Sequence, residues 1–138
     1  MSRSMIVRAL PLAAAVVALA AIPASSATKV RFPADCGKPS YKPASIVVAC
    51  GDANNQLTHI KWESYGTQAA SGTATARVNA CDPNCAQGKT KSYPAVVTLT
   101  RPKKCGKVMQ FTRLRETFTH SKPKGYRSAL VESFPCSG

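Results

Sequence analysis

The sequence has few of the residues that acid–base and metal chemistry need. It holds only six acidic residues and two histidines, His59 and His120, in 138 positions. The closest pair of cysteines, Cys81 and Cys85, has neither the Cys-x-x-Cys spacing nor a neighbouring histidine, which excludes the usual zinc sites. From the sequence we therefore assign no metal ligand, no cofactor and no catalytic residue.

Long apolar runs are also scarce, and the only one lies within the first 22 residues. Arg3 and Arg8 flank its beginning, and Ser25 and Ala27 place small residues three and one before a cut after Ala27. This three-part pattern is typical of a secretory signal peptide, and the run is shorter than the ~20 residues that a membrane span needs. We expect residues 1–27 to be removed, the protein to be secreted, and no transmembrane anchor to remain.

No window shows a sustained helical period with capping residues. Short apolar runs broken by turn residues recur instead, at a spacing of about 8–12 residues, which indicates an antiparallel β-sandwich or small barrel. The predicted strands are Ser45–Cys50, Leu57–Tyr65, Thr73–Asn79, Tyr93–Thr100, Val108–Phe118 and Tyr126–Phe134. The expected division is a signal peptide, a Pro-rich arm over residues 28–44 that is irregular up to Cys36, and a β domain over residues 45–138.

One predicted strand breaks the alternation of apolar and polar positions. In Val108–Phe118, Phe111 shares its parity with Arg113 and Arg115, whereas Leu114 has the other parity. A strict two-residue period would place the arginines on the same face as Phe111. We therefore predict a β-bulge near Thr112, where the strand would switch faces.

The cysteines are even in number in a short exported chain, which indicates three disulfides. They are Cys36, Cys50, Cys81, Cys85, Cys105 and Cys136. The last two predicted strands run away from Cys105 and back toward it, so hairpin geometry pairs Cys105 with Cys136.

The other two disulfides follow from loop length. The Asp-Pro-Asn turn between Cys81 and Cys85 lets these two residues approach each other. Cys36 then pairs with Cys50 and ties the arm to the first strand. The rival arrangement crosses from the arm to the middle loop, as Cys36–Cys81 or Cys50–Cys85.

The chain is strongly basic, with a formal net charge of +13 that becomes +11 if Arg3 and Arg8 leave with the signal peptide. Between residues 101 and 127, Glu116 is the only acidic residue. We predict a basic stripe there that binds polyanions. Its residues are Lys103, Lys104, Lys107, Arg113, Arg115, Lys122, Lys124 and Arg127. No aromatic series lies among them to stack on bases, and the alternative is that the charge only confers solubility.

Trp62 shares a strand face with Ile60, and we predict that it is a core residue. His59 has the opposite parity and is expected to face solvent. The alternative for Trp62 is a carbohydrate-stacking platform formed with Tyr65.

Two small polar clusters have alternative interpretations. Asp52, Asn54 and Asn55 supply oxygen atoms that could hold Ca²⁺, but the pattern fits a plain Asx turn better. Glu116 and His120, together with an arginine for phosphate, are the residue types of a small secreted nuclease. The same residues on a hairpin are more commonly a solvated face.

Several segments resemble a pattern found in small secreted, disulfide-containing proteins of actinobacteria, a family without a characterised activity. They include SIVVACGDANNQLTHIKWESYG, TATARVNACDPNCAQGK and YPAVVTLTRP. The likeness covers roughly residues 44–114 and is most specific in Asn79–Gly88, while Tyr65 stands where the family pattern has Trp. The resemblance implies secretion and a β fold, and it carries over no catalytic residue.

The leading functional hypothesis is a noncatalytic secreted protein that binds anionic polymers or cell-wall components through its basic face. The alternatives are a nuclease-like enzyme, using Glu116, His120 and Arg113, and an inhibitor or antimicrobial protein that presents the Cys81–Cys85 loop as a rigid probe.

Overall fold

The alternating apolar runs of the sequence pair as strands of a single sheet. The computed structural model describes residues 10, 11, 13, 15–23 and 26–136. Its strands are β1 Val30–Arg31, β2 Ile46–Val47, β3 Asn55–Tyr65, β4 Ala70–Asn79, β5 Thr90–Cys105, β6 Val108–Phe118 and β7 Ala129–Ser133. Because the regular structure of the described residues is all strand, the all-β prediction is confirmed.

The signal-peptide prediction depends on residues that are only partly described. Arg3, Arg8 and Ser25 lie outside the described residues. In the part of the chain that is described, no helix has the length and apolarity to cross a membrane.

The strands follow one another around the sheet in the order β1-β6-β5-β4-β3-β2, and β7 also pairs with β6. All pairings are antiparallel except that of β1 with β6. β6 pairs with β1 at Met109 and Gln110 and with β7 over Arg113–Thr117, so two short strands share one edge of β6. The sheet curls into a half-barrel.

The Pro-rich arm is more ordered than the sequence predicts. It forms β1 and then an isolated bridge between Phe32 and Ser40, so the expected irregular stretch up to Cys36 is wrong. Burial explains the difference, because Phe32 is 0% exposed and its ring lies 4.8 Å from that of Phe134. The Val47 amide donates to the Ala34 carbonyl at 2.7 Å, which connects the arm to β2 at the far edge of the sheet.

Five of the six predicted strands differ in their bounds from the structure, and for β2 and β5 the reason is visible in the backbone. β2 ends at Val47 because the amides of Val48 and Ala49 both donate to the Asn55 carbonyl and turn the chain back. β5 continues to Cys105 through a segment that reads as a turn in the sequence, since Pro102 still pairs with Phe111.

The β-bulge predicted near Thr112 is absent from the pairing of β5 with β6, two strands that are described throughout. The register is continuous from one end of the pair to the other. The irregular residue lies across from Thr112, at Arg101, whose φ is 55°. The two residues before Thr112 are both buried, because Phe111 packs edge-on against Tyr65 in the apolar core and the side chain of Gln110 donates to the Phe134 carbonyl.

The apolar core lies on the concave face of the sheet. Its largest fully buried apolar side chains are Phe32, Phe111, Ile46, Leu57, Leu99 and Leu114. Trp62 only packs against the edge of this core and is half-buried, so the prediction of a buried Trp62 is wrong in degree. The register shifts next to it, between Trp62 and Ser64, and its indole N–H donates to the Pro43 carbonyl at 2.9 Å, which holds the ring at the sheet margin. His59 is exposed, as predicted.

Three disulfides fasten the ends of the strands. The pairs are Cys36–Cys50, Cys81–Cys85 and Cys105–Cys136, as the sequence predicts. The first ties the arm to the turn after β2. The last joins the β5–β6 hairpin to the chain after β7, because β7 returns antiparallel to β6.

Candidate functional site

The basic stripe runs along β6, with its lysines at the two ends. Lys103 and Lys104 lie near the end of β5, beside the turn before β6, whereas Lys122 lies in the loop after β6. β6 has 11 residues, so at about 3.3 Å per residue these ends are roughly 33 Å apart. Arg113 and Arg115 lie between them on the outer face, because the neighbouring Leu114 is buried on the core face.

Part of the stripe forms a shallow groove in which three cationic side chains converge. Arg101, Lys103 and Arg113 line this groove, whose volume is about 260 Å³, together with Thr112 and Ser133 near the Cys105–Cys136 disulfide. Among the described residues, no acidic side chain lines it. The hydroxyl of Thr112 donates to the Arg101 carbonyl at 2.8 Å and fixes the backbone of one wall.

Arg101 is absent from the predicted set, although it belongs to the same basic segment, residues 101–127. It lies opposite Thr112 on the extended β5 rather than in a loop. The signal that would have found it is the continuation of pairing through Pro102, which only the register shows.

Three predicted members of the stripe have other surroundings. Lys124 lies 3.8 Å from Asp82, the only ion pair in the described part of the chain. The ammonium of Lys122 donates to the Tyr126 carbonyl at 2.6 Å. Arg127 lines the mouth of a different cavity. Lys107 stays exposed at the turn before β6.

The structure does not bring the nuclease-like set together on one surface. Glu116 is 0% exposed on the core face of β6, while Arg113 lies on the other face. His120 is exposed beyond the end of β6 and its ring contacts the hydroxyl of Thr119.

The Cys81–Cys85 loop is a folded turn. The side chain of Asn79 accepts a hydrogen bond from the Cys81 amide and donates one to the Cys85 carbonyl, each at 2.9 Å. The residues between the two cysteines are exposed. The loop is therefore accessible but short and close to the sheet.

A larger cavity, of about 790 Å³, opens at the seam between the two edges of the half-barrel. One wall is the arm at Pro33 and the turn at Val48, and the opposite wall is β7 with the chain after it. Leu130 and Phe134 give the walls an apolar character, while Asn55 lines the cavity with an amide.

Behind this cavity a carboxyl group is buried in the core. The side-chain amide of Asn55 donates to Oε2 of Glu116 at 2.7 Å. Glu116 is 0% exposed and Asn55 is 5% exposed. Within the described part of the chain, Oε1 of Glu116 and Oδ1 of Asn55 have no hydrogen-bond partner. Burial raises the pKa of Glu116, against the hydrogen bond from Asn55, which lowers it.

A further ionisable group, Tyr126, lines the same cavity. Burial raises the pKa of Tyr126, and the negative charges of Glu116 and Asp52 add to the effect. Asp52 itself forms the Asx turn that the sequence predicts, since its carboxylate accepts from the amide and side chain of Asn54. Asn55 does not belong to that turn. No sequence signal links it to Glu116, because the two residues are 61 positions apart.

Comparisons of this chain with protein-family models, with curated proteins and with solved structures give no match. Both candidate sites, the cationic groove on the outer face and the cavity at the seam, therefore stand on the geometry of this chain alone.

Proposed function

We propose that the protein is an exported, noncatalytic binding protein that holds anionic polymers on its basic outer face. The observation that carries this proposal is the groove in which Arg101, Lys103 and Arg113 converge. Arg115 continues the positive surface along the outer face of β6.

The charge balance of the surface supports the proposal. Exposed cations without ion-pair partners attract polyanions through a field that salt screens over about 8–10 Å. The groove cations have no ion pair in the described part of the chain. Two guanidinium groups in one groove can each grip a sulfate, phosphate or carboxylate through two hydrogen bonds. Binding of this kind depends on polymer charge and little on polymer sequence.

We extend the proposal to the export of the protein, its family and the closure of its sheet. We propose that residues 1–27 are a signal peptide removed on export, and that the chain is a member of the secreted actinobacterial family it resembles. The three disulfides support an oxidising compartment. We also propose that the half-barrel is a small barrel closed by the arm, supported by the hydrogen bond from Val47 to Ala34. N-terminal sequencing of the secreted protein should begin at Thr28.

The binding proposal is tested with two triple variants that lose the same charge. The groove variant changes Arg101, Lys103 and Arg113 to Gln. The control variant changes the exposed Lys38, Lys61 and Lys89 to Gln, none of which lines the groove. Each protein is titrated with heparin and with a wall teichoic acid at 50 mM and 200 mM salt.

We expect the groove variant to lose about tenfold more affinity than the control variant, and wild-type binding to weaken steeply between the two salt concentrations. Equal losses in the two variants would mean that net charge alone attracts the polymers. Binding that survives both high salt and the groove substitutions would contradict the proposal.

A further inference from the structure

The outer edge of β7 is free, and its hydrogen-bonding groups can be assigned from the pairing with β6. The Phe118 amide donates to the Ser128 carbonyl, and the Phe134 amide donates to the Thr112 carbonyl. In an antiparallel pair these bonds recur at every second residue. Ala129, Val131 and Ser133 therefore point their N–H and C=O groups away from β6, toward an edge where no described strand pairs.

This free edge borders the seam cavity of about 790 Å³. The side chains of Leu130 and Glu132 share the concave face with Leu114 and Glu116, because they lie opposite those residues in the register. Across the gap lies the turn that contains Val48. A strand added to this edge would therefore bond to backbone groups of β7 on one side and would lie over the cavity.

The cavity is acidic in a chain that is otherwise strongly basic. Glu132 lines it, and Glu116 lies behind it. Neither of these two carboxylates has an ion-pair partner among the described residues. Arg127, the one cationic residue in the lining, is exposed at the mouth.

We propose that the seam cavity binds an extended peptide segment, which adds as a strand to the free edge of β7 and directs a lysine or arginine side chain toward Glu132 and the Asn55–Glu116 pair. Edge strands bind peptides in this way through main-chain hydrogen bonds, while pockets for alternate side chains give specificity. The proposal is independent of the polyanion groove, which is lined by cations and shares only Ser133 and Pro135 with the lining of the cavity.

The buried polar groups explain why a basic side chain is favoured. Asn55 is nine-tenths buried, lines the cavity, and has an amide oxygen without a partner in the described residues. An ammonium or guanidinium group supplies only donors, which match the unpaired oxygens of Asn55 and Glu116. A peptide carboxylate in the same place would meet like charge. The side chain opposite Glu132 faces inward, and its two neighbours pair their backbones with Val131 and Ser133.

The probes are three blocked pentapeptides. The first is acetyl-Ser-Leu-Lys-Leu-Ser-amide, the second has Glu in place of Lys, and the third keeps Lys but carries N-methyl groups on both leucines. Binding is followed by NMR titration at pH 7, together with amide hydrogen exchange. We expect only the first peptide to bind well. At saturation it should slow exchange of the Val131 and Ser133 amides by about tenfold or more, because those amides gain partners.

Two protein variants test separately the contribution of the Glu132 charge and that of the free edge of β7. Glu132→Gln should lower the affinity for the lysine peptide by about three- to tenfold. Glu63→Gln, on β3 and outside the cavity, should leave that affinity unchanged. Val131→Pro removes an N–H that points away from β6 and breaks no hydrogen bond to β6. It should therefore lower the affinity for the lysine peptide by about five- to tenfold. Val131→Ala is its control, and thermal unfolding checks that each variant is folded.

Several outcomes would overturn the proposal. One is the absence of lysine-peptide binding at millimolar concentration. Another is equal binding of the glutamate or N-methylated peptide, or unchanged exchange at the Val131 and Ser133 amides. Binding of n-butylammonium as tightly as the peptide would indicate a small-cation site and no strand addition. Heparin titration of the same variants should show no change, so the two sites succeed or fail separately.

Discussion

Glu116 and Asn55 show how a single pair of side chains can dominate the chemistry of a small core. The carboxyl group takes the place of an apolar residue on the concave face of β6, between Leu114 and Phe118. Its one hydrogen bond, from Asn55, satisfies half of the available oxygen atoms. A buried acceptor without a partner costs about 1–3 kcal/mol of stability, so such a group is either tolerated for function or neutralised by a proton.

The raised pKa of Glu116 predicts a stability that depends on pH. The folded protein holds this proton more tightly than the unfolded chain, whose ordinary value is 4.5. The contribution is therefore fully present below pH 4.5 and is lost as pH rises through the raised pKa. Glu116→Gln should remove this dependence and increase the free energy of unfolding at pH 8 by about 1–3 kcal/mol, because Gln can both donate to and accept from Asn55.

Urea unfolding of wild type, Glu116→Gln and the exposed control Glu63→Gln at pH 5 and pH 8 measures this effect. A Glu116→Gln variant that is less stable than wild type at pH 8 would show that the ionised carboxylate is needed in the fold.

The half-burial of Trp62 predicts an intermediate loss of stability when its side chain is truncated. A fully buried aromatic truncated to Ala costs about 3–5 kcal/mol, and Trp62 is only half-buried. Trp62→Ala should therefore cost less than about 3 kcal/mol. Trp62→Phe should keep the edge-on contact with Tyr65 and lose only the hydrogen bond to Pro43. The native fluorescence maximum should lie between those of a buried and a free indole; emission at either extreme would contradict the structure.

At the scale of elements, the arm and β6 form one unit. β6 pairs on one side with β5 along its whole length, and on the other side with β1 and then β7. The arm places Phe32 in the core and joins β2 through Ala34. It therefore contributes packing to the core, although its prolines suggest an irregular segment.

This role of the arm predicts a large effect of one substitution. Phe32→Ala should lower the free energy of unfolding by about 3–5 kcal/mol, since the side chain is fully buried against Phe134. Tyr41→Ala is the matched control, because Tyr41 is an aromatic residue of the same arm that is 40% exposed. Denaturant titration of the two variants tests the prediction, and equal, small losses would mean that the arm is dispensable.

At the scale of the whole molecule, charge and cross-links are unevenly distributed. Cations occupy the outer face and both ends of β6, whereas the carboxyl groups of Glu116 and Glu132 lie at the seam. Such separation suits a protein that has two surfaces for partners of opposite charge. The disulfides hold the arm, the middle loop and the end of the chain, where the hydrogen bonds of the sheet stop.

The sequence separations of the three disulfides predict an order of stabilisation. They are 31 residues for Cys105–Cys136, 14 for Cys36–Cys50 and 4 for Cys81–Cys85. Since a longer closed loop restricts the unfolded chain more, loss of stability in the paired Cys→Ser variants should follow that order, at about 2–4 kcal/mol for the longer two. Thermal unfolding of the three double variants measures it, and a Cys81–Cys85 variant with the largest loss would contradict it.

The sequence by itself determined the features that depend on neighbours along the chain. Alternation gave the strands, with Val108–Phe118 correct at both ends, and chain reversal gave the pairing of Cys105 with Cys136. The Asx turn at Asp52 followed from residue types that bond to their own backbone. These features are local, or follow from one strand returning beside the previous one.

Only the tertiary structure decided the features that join distant segments. The burial of Phe32, the entry of Arg101 into the cationic groove and the contact of Asn55 with Glu116 all depend on how the sheet curls and which edges meet. A two-residue period says which positions share a face, but it does not say what covers that face. Glu116 therefore reads as a solvated residue in the sequence, and it becomes a buried carboxyl because Asn55, at the start of β3, lies against it inside the curled sheet.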